Sequence, residues 1–93
     1  MTTSSYKLAG RLDGASSSTH EKALQDLLVG DVHSINIDLS ELDYVSSAGL
    51  RVLLVAAKAA KAKGGKVTLI SPKPSTMEVL KISGFDKIIP IQA

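Results

Sequence analysis

Between Ile35 and Lys63 the hydrophobic pattern changes its period from two to about 3.6, and two serines stand at the change. Ile35, Ile37 and Leu39 alternate with Asn36 and Asp38, as in a strand with one covered face. The strand is expected to end in Asp38-Leu39-Ser40, with a short acidic loop over Glu41–Val45. Leu50, Leu53, Leu54 and Ala57 then fall at i, i+3, i+4 and i+7, which predicts an amphipathic helix from about Ser47 to Lys63 with those residues inward. Arg51, Lys58 and Lys61 lie mostly off that stripe. Ser46 or Ser47 therefore sits at or beside the N-cap, where a hydroxyl can accept a hydrogen bond from an orphan backbone N–H. Gly49 falls in the first turn, although glycine costs up to about 1 kcal/mol relative to Ala in a helix interior. Its missing side chain is expected to leave the serines open to approach from outside.

The same reading extends to both ends. Tyr6, Leu8, Gly10 and Leu12 alternate with Lys7, Ala9 and Arg11, a first strand that Asp13-Gly14 turns away. Ser18-Thr-His-Glu21 matches a capping box, with Leu24, Leu27 and Leu28 behind it and Gly30 as the C′ residue of a helix ending near Val29. Gly64-Gly65 stops the long helix, and Lys66–Ser71 is a third strand closed by Pro72 and Pro74. Ser75-Thr-Met-Glu78 is a second capping-box match, opening a short helix with Met77, Leu80 and Ile82 inward and Gly84 at its end. Lys87–Ile91 is a last short strand, placed at an edge or a strand end by Pro90. Strands alternating with helices predict an α/β fold: one domain over residues 1–93, with a mixed, mostly parallel sheet of about four strands and three main helices.

Composition closes off several classes. Cysteine is absent from the 93 residues, so there are no disulfides or thiolate metal sites, which is compatible with the expected cytoplasmic location. No apolar run is long enough to span a bilayer, and Met1–Ser5 has no secretory character, so no membrane partner is expected. A net charge of +2 is too small to argue for nucleic acid. Its distribution says more: Asp31, Asp38, Glu41 and Asp43 precede the serines, whereas Arg51, Lys58, Lys61, Lys63, Lys66 and Lys73 follow them. The bland reading of those lysines is a solvated helix face.

An enzyme is not expected. His20 and His33 are the only histidines, and neither belongs to a metal-spaced set. Asp13, Asp38 and Asp43 could meet in the fold, but turn and cap roles are commoner for Asp than acid–base work. Gly64-Gly-Lys66 lacks the spacing of a phosphate loop. No metal and no cofactor are expected. Ser46 and Ser47 have two readings, an ordinary N-cap pair or a phosphoacceptor. Phosphate at a helix N-terminus is tolerated electrostatically and adds about −1.5 to −2 charges at one surface spot.

The run from Asp38 to Leu54, DLSELDYVSSAGLRVLL, resembles the central motif of STAS domains, in particular the bacterial anti-sigma factor antagonists. Gly10-Arg-Leu-Asp-Gly14, Gly64-Gly-Lys-Val-Thr-Leu69, Ser71-Pro72 and Ile82-Ser-Gly-Phe85 extend the resemblance over nearly the whole chain. STAS domains usually carry one further N-terminal strand, expected to be short or absent here. In those antagonists the motif reads Asp-Ser-(Ser/Thr)-Gly-Leu, and the serine after the Asp is phosphorylated. Aligned on Gly49-Leu50 the resemblance implies Ser47, with Ser46 as second candidate because Ser46 replaces the Asp and Ala48 the second hydroxyl residue. It also implies a partner-binding surface of Asp13, Ser46, Ser47 and Gly49. The implied function is partner switching by a monomer. The unphosphorylated protein binds an anti-sigma factor that is also a serine kinase, of the ATP-binding histidine-kinase-like type. Phosphorylation releases it, and a metal-dependent serine phosphatase restores it. A STAS subunit of a lipid-transport ATPase complex and a nucleotide-binding STAS module are the alternatives.

Overall fold

The computed structural model describes residues 2–92. Strand β1 (Thr2–Leu12) leads to helix α1 (Ser17–Leu27), then β2 (Val32–Val45), α2 (Ser47–Ala62), β3 (Val67–Ile70), α3 (Pro74–Ile82), a 3-10 turn at Phe85–Lys87 and β4 (Ile91–Gln92). The strands form one sheet in the order β1-β2-β3-β4. The expected sheet was mostly parallel; every pairing described is parallel. Parallel neighbours need a crossover, and each helix supplies one. No separate strand precedes β1 among the described residues. Instead β1 itself starts at Thr2, earlier than the Tyr6 expected from alternation.

The larger departure is in β2. The stretch expected as an acidic loop continues the strand to Val45. Lys7 pairs with Asp38 but Ala9 with Glu41, and Gly10 pairs with Leu42 but Arg11 with Tyr44. At each step β2 holds one residue more than β1, which is the signature of a bulge. The bulges rephase the strand, so Leu39, Leu42 and Val45 are all buried although they lie three apart. Simple alternation fails there, and the stretch expected as a loop is strand.

Helix α2 starts and stops close to its predicted limits, but its buried stripe is turned by about one residue. Gly49, Val52, Leu53, Ala56 and Ala60 are inward, whereas Leu50, Leu54 and Ala57 are half-buried. Both capping boxes are displaced too. Ser16, not Ser18, is the N-cap residue of α1. Lys73 precedes α3, and Pro74 occupies its first turn, where a missing N–H costs nothing. Ile82 is 79% exposed rather than inward. The last strand is shorter and later than expected, because Phe85–Lys87 winds into the 3-10 turn. Leu8, Leu12, Leu24, Ile35, Ile37, Leu53, Leu69 and Leu80 are fully buried and form the centre of the core.

Gly49 is what lets α2 approach this sheet. A Cβ on it would lie 2.5 Å from the Leu12 carbonyl oxygen, 2.8 Å from Leu12 Cγ and 2.9 Å from Val45 Cγ2. The missing side chain therefore faces inward, which corrects the expectation that it opens the serines to solvent. Gly49→Ala gains about 1 kcal/mol of helix propensity, but overpacking costs about 1–3 kcal/mol. We expect a net loss, read as a melting temperature several degrees lower in a thermal scan, since each kcal/mol moves a domain of this size by about 4–8 °C.

Candidate functional site

Leu12 and Val45 are paired at the ends of β1 and β2, so the chain leaves the sheet twice at the same place. Asp13 follows one strand and Ser46 the other. Ser46 N–H donates to the Leu12 carbonyl at 2.9 Å, stitching the two exits together. The carboxyl ends of adjacent parallel strands are where open α/β sheets place their sites.

The two serines divide the work. Ser46 has extended backbone angles and is the N-cap residue of α2; its Oγ accepts from Gly49 N–H at 3.2 Å. It is half-buried and committed to structure. Ser47 is the first helical residue and is exposed. Its hydroxyl makes no hydrogen bond within the described residues. The structure thus separates the two readings that the sequence left joined: one serine caps, and its neighbour is presented to solvent.

Asp13 shapes the turn between β1 and α1. Its Oδ1 accepts from Ala15 N–H at 3.0 Å and Ser16 N–H at 3.2 Å, and its Oδ2 from Arg11 Nε at 3.3 Å. Ser16 Oγ donates to the Arg11 carbonyl at 2.8 Å and accepts from Asp13 N–H at 3.1 Å, so this turn is bonded on both sides. The Arg11 guanidinium and then the two backbone N–H groups hold the Asp13 carboxyl below its ordinary value of 3.8. Arg11 is itself placed by Tyr44, whose ring lies 4.3 Å beneath the guanidinium. Tyr44 and Arg11 had no role in the sequence reading; a pairing across bulged strands is not visible in one dimension.

Between the first turns of α1 and α2 lies an open groove of about 310 Å³, lined by Ser17, Ser18, Glu21, Ala48, Arg51 and Val52. It adjoins Ser47 on the α2 side. The acids that precede the serines do not form a free cluster. Glu41 bridges to Lys7 on β1, and Asp43 bridges to Lys73 before α3. Gly49 is buried beneath the surface, so its contribution is to seat the serines. His20, in the first turn of α1, has its Nδ1 2.8 Å from the Tyr6 hydroxyl on β1. His33 Nδ1 lies 2.8 Å from the Thr2 carbonyl. Among the described residues no group of three His, Cys, Asp or Glu is arranged to hold a metal ion. No helix among them is long and apolar enough to cross a membrane.

The family model for the STAS domain matches residues 2–93. This chain belongs to the STAS domain family. BtrV of Bordetella bronchiseptica, named as an anti-sigma factor antagonist, is 39% identical over 84 residues, spanning 86% of this chain and 72% of BtrV. Among solved structures, the anti-sigma factor antagonist SpoIIAA in its unphosphorylated form superposes with a TM-score of 0.82 at 21% identity, covering 100% of this chain and 83% of that one. The STAS domain of a SulP transporter from Vibrio cholerae superposes with a TM-score of 0.76 at 16% identity, covering 98% and 73%. At such identities the superpositions speak for the STAS fold, which regulators and transporters share.

The Asp13 turn has a pH signature. A carboxyl held below its ordinary value when folded stabilises the protein above that value, and the contribution fades as pH falls through the lower folded value. Asp13→Asn keeps an oxygen acceptor for the turn but removes the charge. Its melting temperature is expected to depend less on pH than wild type below about pH 4, the region the unfolded-state carboxylate titrates. Identical acid limbs for the two proteins in scanning calorimetry would contradict the coupling.

Proposed function

We propose that this STAS domain is an anti-sigma factor antagonist whose affinity for its partner is set by phosphorylation of Ser47. The observation that carries the reading is the division between the serines: Ser46 Oγ is spent on the Gly49 N–H, while Ser47 is exposed at the first turn of α2. The 39% identity to BtrV supports the coarser part, antagonism of an anti-sigma factor.

In the unphosphorylated protein a neutral hydroxyl stands at the start of α2, which is bonded to the strand exit that Asp13 follows. The partner is an anti-sigma factor with serine kinase activity, of the ATP-binding histidine-kinase-like type. It docks over Asp13, Ser46 and Ser47 and gives up its other client. The Ser47 Oγ then attacks the γ-phosphorus of the kinase-bound ATP. An O–P bond forms, the bond to the ADP oxygen breaks, and the hydroxyl proton passes to a base of the kinase. The product carries about −1.5 to −2 charges where the partner had faced a neutral group. An unpaired charge desolvated at an interface costs several kcal/mol, and each 1.4 kcal/mol is tenfold in affinity. The complex separates, and a metal-dependent serine phosphatase resets it by hydrolysis. This chain is substrate and ligand in the cycle, not its catalyst, and acts as a monomer.

Mass spectrometry of the protein isolated from its own cells tests the cycle. Phosphate on Ser47 is the expected result. Its consistent absence, with transporter subunits co-purifying, would favour the lipid-transport alternative, and micromolar ATP or GTP binding by the isolated chain in calorimetry would favour the nucleotide module. With the cognate kinase, Ser47→Ala is expected to abolish phosphate incorporation. Ser46→Ala should slow it and lower stability by about 1 kcal/mol through the lost cap. Undiminished incorporation into Ser47→Ala would move the acceptor elsewhere. Surface plasmon resonance provides a second check. Asp13→Ala should speed dissociation from the kinase, whereas Lys58→Ala, far along α2, should change only a small, salt-sensitive part of the on-rate.

A further inference from the structure

The sequence puts one cation where a phosphate on Ser47 would need it. Arg51 is four residues after Ser47 on α2, and both are exposed. Residues at i and i+4 lie on one helix face with their Cβ atoms about 6 Å apart. A phosphoserine side chain and an arginine span that gap easily, and the planar guanidinium matches two phosphate oxygens at once. Arg51 is also uncommitted. The ion pairs among the described residues join Lys7 to Glu41, Arg11 to Asp13 and Lys73 to Asp43, and Arg51 takes part in none. It lines the open groove between α1 and α2 together with Ala48 and Val52, so nothing bulky stands between it and the helix start. Glu21, on the facing side of that groove, is the nearest competing acid in its lining and does not pair with it.

We propose that Arg51 is the intramolecular partner of a phosphate on Ser47. In the unphosphorylated protein the guanidinium projects freely beside the docking face. Once the phosphate is attached, Arg51 folds back along α2 onto it. One modification then changes two features of the surface: it adds a dianion and withdraws a cation. The opposing charges at this end are Glu21 from α1 and Asp13 from the β1 exit, and both would repel the phosphate. Arg51 is the group that offsets them. It is a positioning residue for the modified state, and touches no reacting atom during transfer. The inference rests on Ser47 as the acceptor, the reading proposed above.

Phosphoserine placed genetically at position 47 tests this without any kinase, because the phosphate is then present whether or not cells attach it. The readout is the second ionisation of the phosphate, ordinarily near pH 6, followed by 31P NMR. Arg51 favours the dianion, so Arg51→Gln is expected to raise that ionisation by about 0.3 units or more, the scale of an i,i+4 ion pair. Arg51→Lys should restore part of the difference, and about 1 M salt should shrink it. Lys58→Gln serves as the distance control: it removes a cation about 16 Å from Ser47 along the helix, beyond the screening length at physiological salt, and should leave the titration unchanged. Equal titrations for wild type and Arg51→Gln, or an equal shift from Lys58→Gln, would overturn the proposal. Failure to find phosphate on Ser47 in cells is a separate outcome: it would defeat the proposed function and leave the pairing standing as a property of the helix.

Discussion

The carbonyl of Leu12 is the point on which the rest of this end of the molecule depends. It accepts the Ser46 N–H at 2.9 Å, and it lies 2.5 Å from where a side chain on Gly49 would begin. One oxygen thus sets both the hydrogen-bonded start of α2 and the closeness of its first turn to the sheet. Everything presented to solvent follows from that placement. Ser46 is turned inward to cap, Ser47 is turned outward, and the Asp13 turn is held one residue away on the adjacent strand exit. A helix seated an ångström further out would lose the Ser46–Leu12 hydrogen bond that joins the two strand exits.

The α/β alternation, the length of α2 and the place of the serine pair at its start were all legible in the sequence, because each rests on local spacing. Three things were not. The acidic stretch of β2 lost its alternation and read as a loop, yet bulges opposite β1 keep it in the sheet. Bulges are fixed by the partner strand, and a single sequence does not contain the pairing. Of the stripe expected on Leu50, Leu53, Leu54 and Ala57, Leu53 is fully buried and the other three are half-buried; leucines outweigh Gly49, Ala56 and Ala60 in any count of apolar residues. In the fold it is the small residues that allow close approach. The N-cap position could be narrowed to Ser46 or Ser47 but not assigned to Ser46 until the N-cap angles were in view.

The change of charge sign along the chain also acquires a physical reading. Two of the acids before the serines are matched laterally, Glu41 to Lys7 and Asp43 to Lys73, as exposed pairs that each contribute little to stability. Lys63, expected to be one of several solvated lysines, instead donates to the carbonyls of Leu28 and Gly30 and so closes the C-terminal end of α1. What is left over near the serines is Arg51.

The sheet order has a consequence for how the protein behaves in a crowded solution. Its two outer strands are β1, with eleven residues, and β4, with two. A long outer strand is a template on which a second molecule can extend the ladder. Here Gly10 takes a left-handed φ of 72°, and the pairing with β2 slips three times along the length of β1. Each slip puts the extra residue in β2, so the outward groups of β1 stay in step except at Gly10, where the left-handed backbone interrupts them. The left-handed backbone at Gly10 divides this outer strand into two shorter runs, and a shorter run is a weaker template for a second chain.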